Sequence, residues 1–220
     1  MPARRSYNQN CPIALGLDML GERWTLLILR ELLGGPRRYS DLRAQLPGIA
    51  TNLLAERLRE LEESGIVDRT ELPPPIARTV YALSDVGWRK VPPVIQALAT
   101  FGLDLIKPGE SALTPLNGFL AGVLLAFNRT TGLNASYRVD IDGRRFEFAV
   151  QGPHLAAAQG QPAVTVTATA EDLITARVGS TAAQRKAALK RVRFDGDRDA
   201  VDAMRTAFQL SGDPGLLAAA

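Results

Sequence analysis

An α+β fold class follows from three features of this 220-residue sequence. Residues 40–83 set a short helix, a tight turn, a longer helix and a β-hairpin end to end, the order of a winged helix-turn-helix. Residues 137–168 switch to alternating apolar and polar side chains, the period-two pattern of strands, read here as an antiparallel sheet. Between these regions Lys107-Pro108-Gly109-Glu110-Ser111 interrupts two apolar helical segments with proline, glycine and charge. The predicted organisation is a winged-helix domain over residues 1–106, a linker over 107–114, a mixed helix-and-sheet domain over 115–213 and a tail over 214–220.

Taken in order, Ser40-Asp41-Leu42 opens the short helix, Leu46-Pro47-Gly48 turns the chain, and Ala50 to Ser64 forms the longer helix that Gly65 ends. Ile66-Val67-Asp68-Arg69 leads to a proline-rich wing tip at Leu72 to Pro75, and Arg78 to Leu83 returns. Val94 to Ile106 then carries Val94, Ile95, Leu98, Phe101, Leu103 and Leu105, more apolar surface than one small winged domain buries, which points to a partner surface. Leu116 to Phe127 has the spacing of one apolar helix. Tyr137, Val139 and Ile141 alternate with polar residues, Asp142-Gly143 supplies a two-residue hairpin turn, and Phe146, Phe148 and Val150 alternate on the return. Leu155 to Ala158 reads as loop, and Leu216 to Ala220 as a fraying tail. Val164 and Val166 mark another strand, followed by Thr169-Ala170-Glu171-Asp172, a helix start with acids in its first turn. Thr181 and Gln184 cap a further helix, Val192 and Phe194 make a short strand, and Val201, Met204, Ala207 and Phe208 mark the last helix.

Composition narrows the function classes. The net charge is +3, and residues 1–106 hold 13 Lys and Arg against 12 Asp and Glu, so phosphate binding by bulk charge is not indicated and basic residues must act locally. A single cysteine excludes an internal disulfide and fits a reducing cytoplasm. The N-terminal segment lacks the apolar core of a signal peptide, and no apolar run is long enough to span a bilayer, so a cytoplasmic protein is expected. No nucleophile–base pair, phosphate loop or metal cluster can be assembled, so neither an enzyme nor a cofactor is expected. His154 stands alone, and the aspartates at Asp140, Asp142, Asp195, Asp197 and Asp199 read as turn and cap residues, because the calcium-loop spacing and closing glutamate are missing.

The helix-turn-helix makes double-stranded DNA the first partner to consider. With Leu54, Leu58 and Leu61 inward on the longer helix, Asn52, Glu56 and Arg59 point outward, with Thr51 and Ala55 toward one side. Asn pairs with adenine, Arg with guanine, and Glu accepts from cytosine. The plainer reading of each position is the solvated face of an amphipathic helix. Arg37, Arg38 and Ser40, at the start of the short helix, and Arg78 on the wing are candidates for phosphate contacts. Arg57 sits at the margin and can instead hold a neighbouring acid, Arg69 is ambiguous, and Tyr39 is assigned to packing.

These pieces carry a resemblance. Cys11-Pro12-Ile13, Leu20-Gly21-Glu22-Arg23-Trp24-Thr25-Leu26-Leu27, Tyr39-Ser40-Asp41-Leu42, Pro47-Gly48-Ile49, Arg57-Leu58-Arg59-Glu60-Leu61-Glu62, Gly65-Ile66-Val67 and Tyr81-Ala82-Leu83-Ser84 resemble, in order, the HxlR family of bacterial transcription regulators over roughly residues 8–103. The resemblance implies a homodimer, built from the first helix and the helix after the wing, that binds pseudo-palindromic operators. It also makes Cys11 a candidate redox or electrophile sensor, against which stands the tendency of cysteine to act as a small buried hydrophobe. Arg4, Arg5 and Arg23 are the nearby cations in sequence.

A second resemblance covers about residues 115–212. The run Ala163 to Leu173, Gly179, and Val192-Arg193-Phe194-Asp195-Gly196-Asp197 with the helix to Phe208 is similar to sterol carrier protein 2 domains. It implies an apolar cavity for a lipid or other hydrophobic small molecule, with Leu120, Leu124, Phe146, Phe148 and Val166 as candidate lining and core packing as the alternative for each. Arg185 to Lys190 is a more basic helix than that pattern usually shows. The combined expectation is a homodimeric DNA-binding regulator whose operator affinity responds to a hydrophobic effector. The alternative is a thiol-sensing regulator acting through Cys11, with the second domain a dimerisation or docking module.

Overall fold

The computed structural model describes residues 6–73, 78–105 and 115–216, which divide by contacts into Met1–Ser84 and Asp85–Ala220. The expected linker at 107–114 and the wing-tip residues Pro74 and Pro75 lie outside the described residues.

The first unit runs α1 (Pro12–Leu20), α2 (Thr25–Leu33), β1 (Arg37–Arg38), α3 (Tyr39–Gln45), α4 (Thr51–Glu63), β2 (Val67–Leu72) and β3 (Arg78–Leu83). Its three strands are ordered β1-β3-β2, all antiparallel. Ile28, Leu29 and Leu32 from α2 meet Leu42 from α3 and Leu54 and Leu58 from α4 in a core from which water is excluded. The end of α4 is set by Gly65, whose φ of +69° is open to glycine at no steric cost. Its N–H donates to the carbonyl of Glu62, and the N–H of Ile66 donates to that of Leu61, a Schellman closure that buries Leu61 and Ile66 together.

The second unit runs α5 (Asp85–Gly102), a 3-10 turn at Leu103–Leu105, α6 (Pro115–Gly122), a 3-10 turn at Leu124–Ala126, β4 (Asn134–Ile141), β5 (Arg144–Gln151), β6 (His154–Ala156), β7 (Val164–Ala168), α7 (Ala170–Val178), α8 (Ala182–Arg191), β8 (Arg193–Gly196) and α9 (Arg198–Ala207). Its sheet is ordered β6-β5-β4-β7-β8. The β4–β5 turn is the expected Asp142-Gly143, both at positive φ, 48° and 77°. Thr169 caps α7 by accepting from the amide of Asp172, and Thr181 and Gln184 form a reciprocal capping box on α8. Asp142 and Asp197 do the same work, accepting from the amides of Ala170 and Asp199.

Three expectations need correction. The sheet is mixed, because β7 runs parallel to β4 in the register Val139↔Val166. Alternation is identical for either strand direction, so the pattern could not have told them apart. The apolar segment 116–127 is not one helix: α6 stops at Gly122, Val123 leaves helical geometry at φ −121°, and a short 3-10 turn follows. The cause is packing, since α6 crosses α7 closely enough that a Cβ on Gly122 would stand 2.5 Å from Cβ of Leu173. Finally, Leu155 and Ala156 belong to β6 rather than a loop, paired to β5 across a Gly152-Pro153 turn in which Gly152 has φ 58°.

Candidate nucleic-acid interface

α4 is tethered at its first turn and at its middle. The Tyr39 hydroxyl donates to the Thr51 carbonyl at 2.6 Å, tying α3 to the first turn of α4. That tie is polar where packing was expected, and residue spacing carries no sign of it. The intervening turn needs Gly48 at φ +91°, and a Cβ there would lie 3.8 Å from Cη2 of Trp24. Trp24 caps α2 with φ 79°, an uncommon conformation for a bulky residue, and the Arg23 guanidinium lies 5.5 Å from its ring centroid. Arg57 pairs with Glu60 and, at 3.4 Å, with Glu22, so this half-buried cation fastens α4 to the segment after α1.

At 100° per residue Thr51, Asn52, Ala55, Glu56 and Arg59 fall within an arc of about 140°, clear of the arc of about 60° that holds Leu54, Leu58 and Leu61. The three leucines are buried, whereas Thr51, Asn52, Ala55 and Arg59 are exposed and Glu56 is half-buried. Arg59 lies 3.9 Å from Glu63, a solvent-facing pair of little energetic weight. Ser40 is exposed in the first turn of α3, where the Arg38 amide donates to the Asp41 carboxylate at 3.2 Å. Arg38 is exposed on β1, Arg37 is half-buried and donates to the Gly34 carbonyl at 3.2 Å, and Arg78 is exposed where β3 begins opposite Leu72. Arg69 pairs with Glu71 at 3.0 Å.

Cys11 is the N-cap of α1 and half-buried. Hydrogen bonding from the amides of Ala14 and Ile13 holds its thiol below the ordinary range, with desolvation a smaller opposing effect. The helix start therefore accounts for the lowering; of the cations nearby in sequence, Arg23 lies over Trp24, and Arg4 and Arg5 lie outside the described residues.

In the second unit Leu120, Leu124, Phe146, Phe148 and Val166 are all buried. Phe146, Val139 and Val166 form one cross-strand row, and Phe148, Tyr137 and Val164 the next. Phe119 of α6 stacks on Phe146 at 4.5 Å, and Phe208 meets Phe148 and Tyr137 edge-on at 5.6 and 5.8 Å. The interior joining these side chains is filled by aromatic rings. Part of the basic α8 cluster is structural as well: Arg185 grips Asp213 with two hydrogen bonds of 2.7 and 2.6 Å.

Among the described residues no helix is long and apolar enough to cross a membrane. Residues 19–110 match the HxlR-like helix-turn-helix family. The chain is 38% identical over 108 residues to the HTH-type transcriptional regulator sll1512 of Synechocystis, a match covering 49% of this chain and 79% of that protein. It is 34% identical over 104 residues to YvaP and 33% over 105 residues to YodB, both HTH-type transcriptional regulators of Bacillus subtilis, covering 47% of this chain each time and 95% and 93% of theirs. The reduced form of YodB aligns with a TM-score of 0.40 at 33% identity, over 46% of this chain and 100% of that one. Relatives of this identity are matched over most of their own length, and the family match spans both helices of the turn and the wing: the chain belongs to the HxlR-like helix-turn-helix family of DNA-binding transcription regulators.

Proposed function

We propose that the protein is a homodimer that reads a pseudo-palindromic operator with α4 and that a hydrophobic small molecule or lipid in residues 115–213 sets its operator affinity. The carrying observation is the exposed side of α4, with Thr51, Asn52, Ala55, Glu56 and Arg59 opposite three buried leucines. In this reading Asn52 and Arg59 contact base edges, while Arg37, Arg38, Ser40 and Arg78 contact phosphates and set the register. Dimerisation draws on α1, which exposes Ile13, Leu15 and Leu17, and on α5 with the 3-10 turn after it, which expose Leu98, Phe101 and Leu105. The DNA-binding and dimerisation module accordingly extends through α5 to about residue 106, and residues 107–114 join it to the effector module.

The effector reading draws on the order β7, α7, α8, β8, α9, which follows the sterol carrier protein 2 pattern. Because Phe119, Phe146, Phe148 and Phe208 touch one another, an effector seated among them has to displace ring contacts, which would couple occupancy to the packing of α6 and α9. The test is operator affinity of the full chain by fluorescence anisotropy, as purified, after lipid extraction and after reloading. Equal affinities in all three states would leave the second module without a sensing role.

A second reading is favoured by Cys11, whose thiol is lowered by the α1 amides and is partly accessible. In it, oxidation or alkylation of Cys11 releases the operator and the second module serves dimerisation or docking. Alkylation of the purified protein with unchanged operator affinity rules it out.

A further inference from the structure

Within the second unit α5 and the β5–β6 hairpin face each other across a cleft. Its wider part, about 100 Å³, is bounded by Asp85, Arg89, Gln151, His154 and Leu155. A narrower part of about 10 Å³ continues from it, sharing Arg89, His154 and Leu155 and adding an apolar floor of Trp88, Pro92, Leu124 and Phe127. The walls are fastened by Gln96, whose side-chain amide donates from α5 to the Leu125 carbonyl at 2.6 Å.

Three polar features converge here. Arg89 is exposed and has no ion-pair partner among the described residues. Arg129 borders the narrow part and is exposed, and its Nε donates to the Pro153 carbonyl at 3.3 Å. His154 Nδ1 is buried and makes no hydrogen bond to the protein, a position that ordinarily calls for a partner. Asp85 is the single carboxylate on the lining, so the lining carries a net positive charge.

We propose that this cleft binds a small monocarboxylic acid with a ring-sized apolar body. Two guanidiniums suit a carboxylate, which accepts their paired N–H groups and is held more strongly than a neutral oxygen. The size argument excludes long chains. An apolar cavity of about 150 Å³ accommodates benzene; the wider part holds about 100 Å³ and the apolar part about 10 Å³, so a single ring or a short alkyl group is the upper limit and requires Leu124 and Phe127 to move apart. Occupancy has a route to regulation because one wall is α5, which begins at Asp85, two residues beyond the end of β3, and exposes Leu98 and Phe101 elsewhere on its surface. For that consequence alone the proposal rests on the effector reading above.

The experiment titrates the full-length protein with benzoate and with benzamide, its neutral isostere, by calorimetry near neutral pH, and repeats both titrations with Arg89→Gln and Arg129→Gln. Benzoate is expected to saturate at concentrations up to about 1 mM, to weaken at least about tenfold in each variant, and to exceed benzamide, which neither variant changes. No saturation, equal binding of benzoate and benzamide, or benzoate binding unchanged in both variants overturns the site. Operator anisotropy with the same ligands separates the two claims. Benzoate that binds through Arg89 without altering operator affinity supports the site and defeats its regulatory consequence, leaving the effector reading to the lipid test above. An operator response to apolar molecules that survives in both variants keeps the effector reading and overturns this site.

Discussion

Arg177 of α7 is 1% exposed, yet it carries a charge with no carboxylate in ion-pair range among the described residues. Its guanidinium is instead surrounded by carbonyls. Nε and Nη2 donate to Gly122 at 3.1 and 2.8 Å, Nη2 also donates to Phe208 at 2.6 Å, and Nη1 donates to Gln209 and Pro214 at 2.9 and 2.8 Å. Gly122 ends α6 and Phe208 caps the end of α9, so the cation lies at the partial negative charge of two helix C-termini. Desolvation lowers its pKa from the ordinary guanidinium range to about 10, which leaves it protonated at neutral pH.

The expected cost of Arg177→Met follows from these terms. Four carbonyls lose their donor, at about 1–3 kcal/mol for each that stays dry. Against this, the desolvation penalty on the charge is relieved, about 3 kcal/mol for a shift of that size. About 4–12 kcal/mol from the carbonyls less about 3 kcal/mol from the relieved charge leaves a loss of about 1–9 kcal/mol. Arg177→Lys keeps the charge but has three donors for four carbonyls, and falls between. The assay is urea unfolding of the full chain in a Trp24→Phe background, so that Trp88 reports the second unit. Because a lowered folded pKa affects stability only as pH approaches about 10, the deficit should be constant from weakly acidic to weakly basic pH. A Met variant within about 1 kcal/mol of the parent would refute the claim that this cation organises the helix ends.

Three further outcomes are expected. Gly122→Ala forces a Cβ to 2.5 Å from Leu173 and should destabilise the second unit by about 1–3 kcal/mol in thermal unfolding, with Gly102, where a Cβ meets open space at ordinary φ, serving as a comparison site for substitution; an unchanged melting temperature would show that α6 and α7 can separate freely. Arg185 holds the Asp213 carboxyl down from 3.8 to about 2, so this pair's contribution is present above the ordinary value and lost as pH falls toward about 2; Asp213→Asn should melt lower than the parent at neutral pH and converge with it in acid, and a gap that persists there contradicts the assignment. Phe101, 78% exposed on α5, should anchor the dimer, so Phe101→Asp is expected to sediment as a monomer with unchanged circular dichroism; a dimer at the same concentration removes α5 from the interface.

The elements that were legible share a property: their determinants are local. Leu54, Leu58 and Leu61 at helical spacing with Gly65 at positive φ specify α4 and its end within one stretch. Asp142-Gly143 specifies a hairpin, and Thr169 and Thr181 specify helix starts, because each acts on amides within three residues. What could not be read depends on partners far along the chain. The parallel pairing of β4 with β7, the halt of α6 at Gly122 against Leu173, and the cleft assembled from α5, the turn at Leu124 and the hairpin at His154 all need neighbours brought together by folding.

The arginines make the same point about the candidate site. Arg57 and Arg59 stand two residues apart on one helix with identical chemistry, and composition treats them alike. Folding turns Arg57 toward Glu60 and Glu22, where it tethers α4, and leaves Arg59 on the exposed arc beside Asn52. Arg177 is taken up entirely by carbonyls, while Arg89 is left at the mouth of a cleft with no ion pair formed among the described residues. A guanidinium offers five donors and a charge it does not surrender at neutral pH. Its role is therefore decided by how many of those donors the fold has already committed, and Arg177, with all five engaged, stands at one end of that range and Arg89, at the cleft mouth, toward the other.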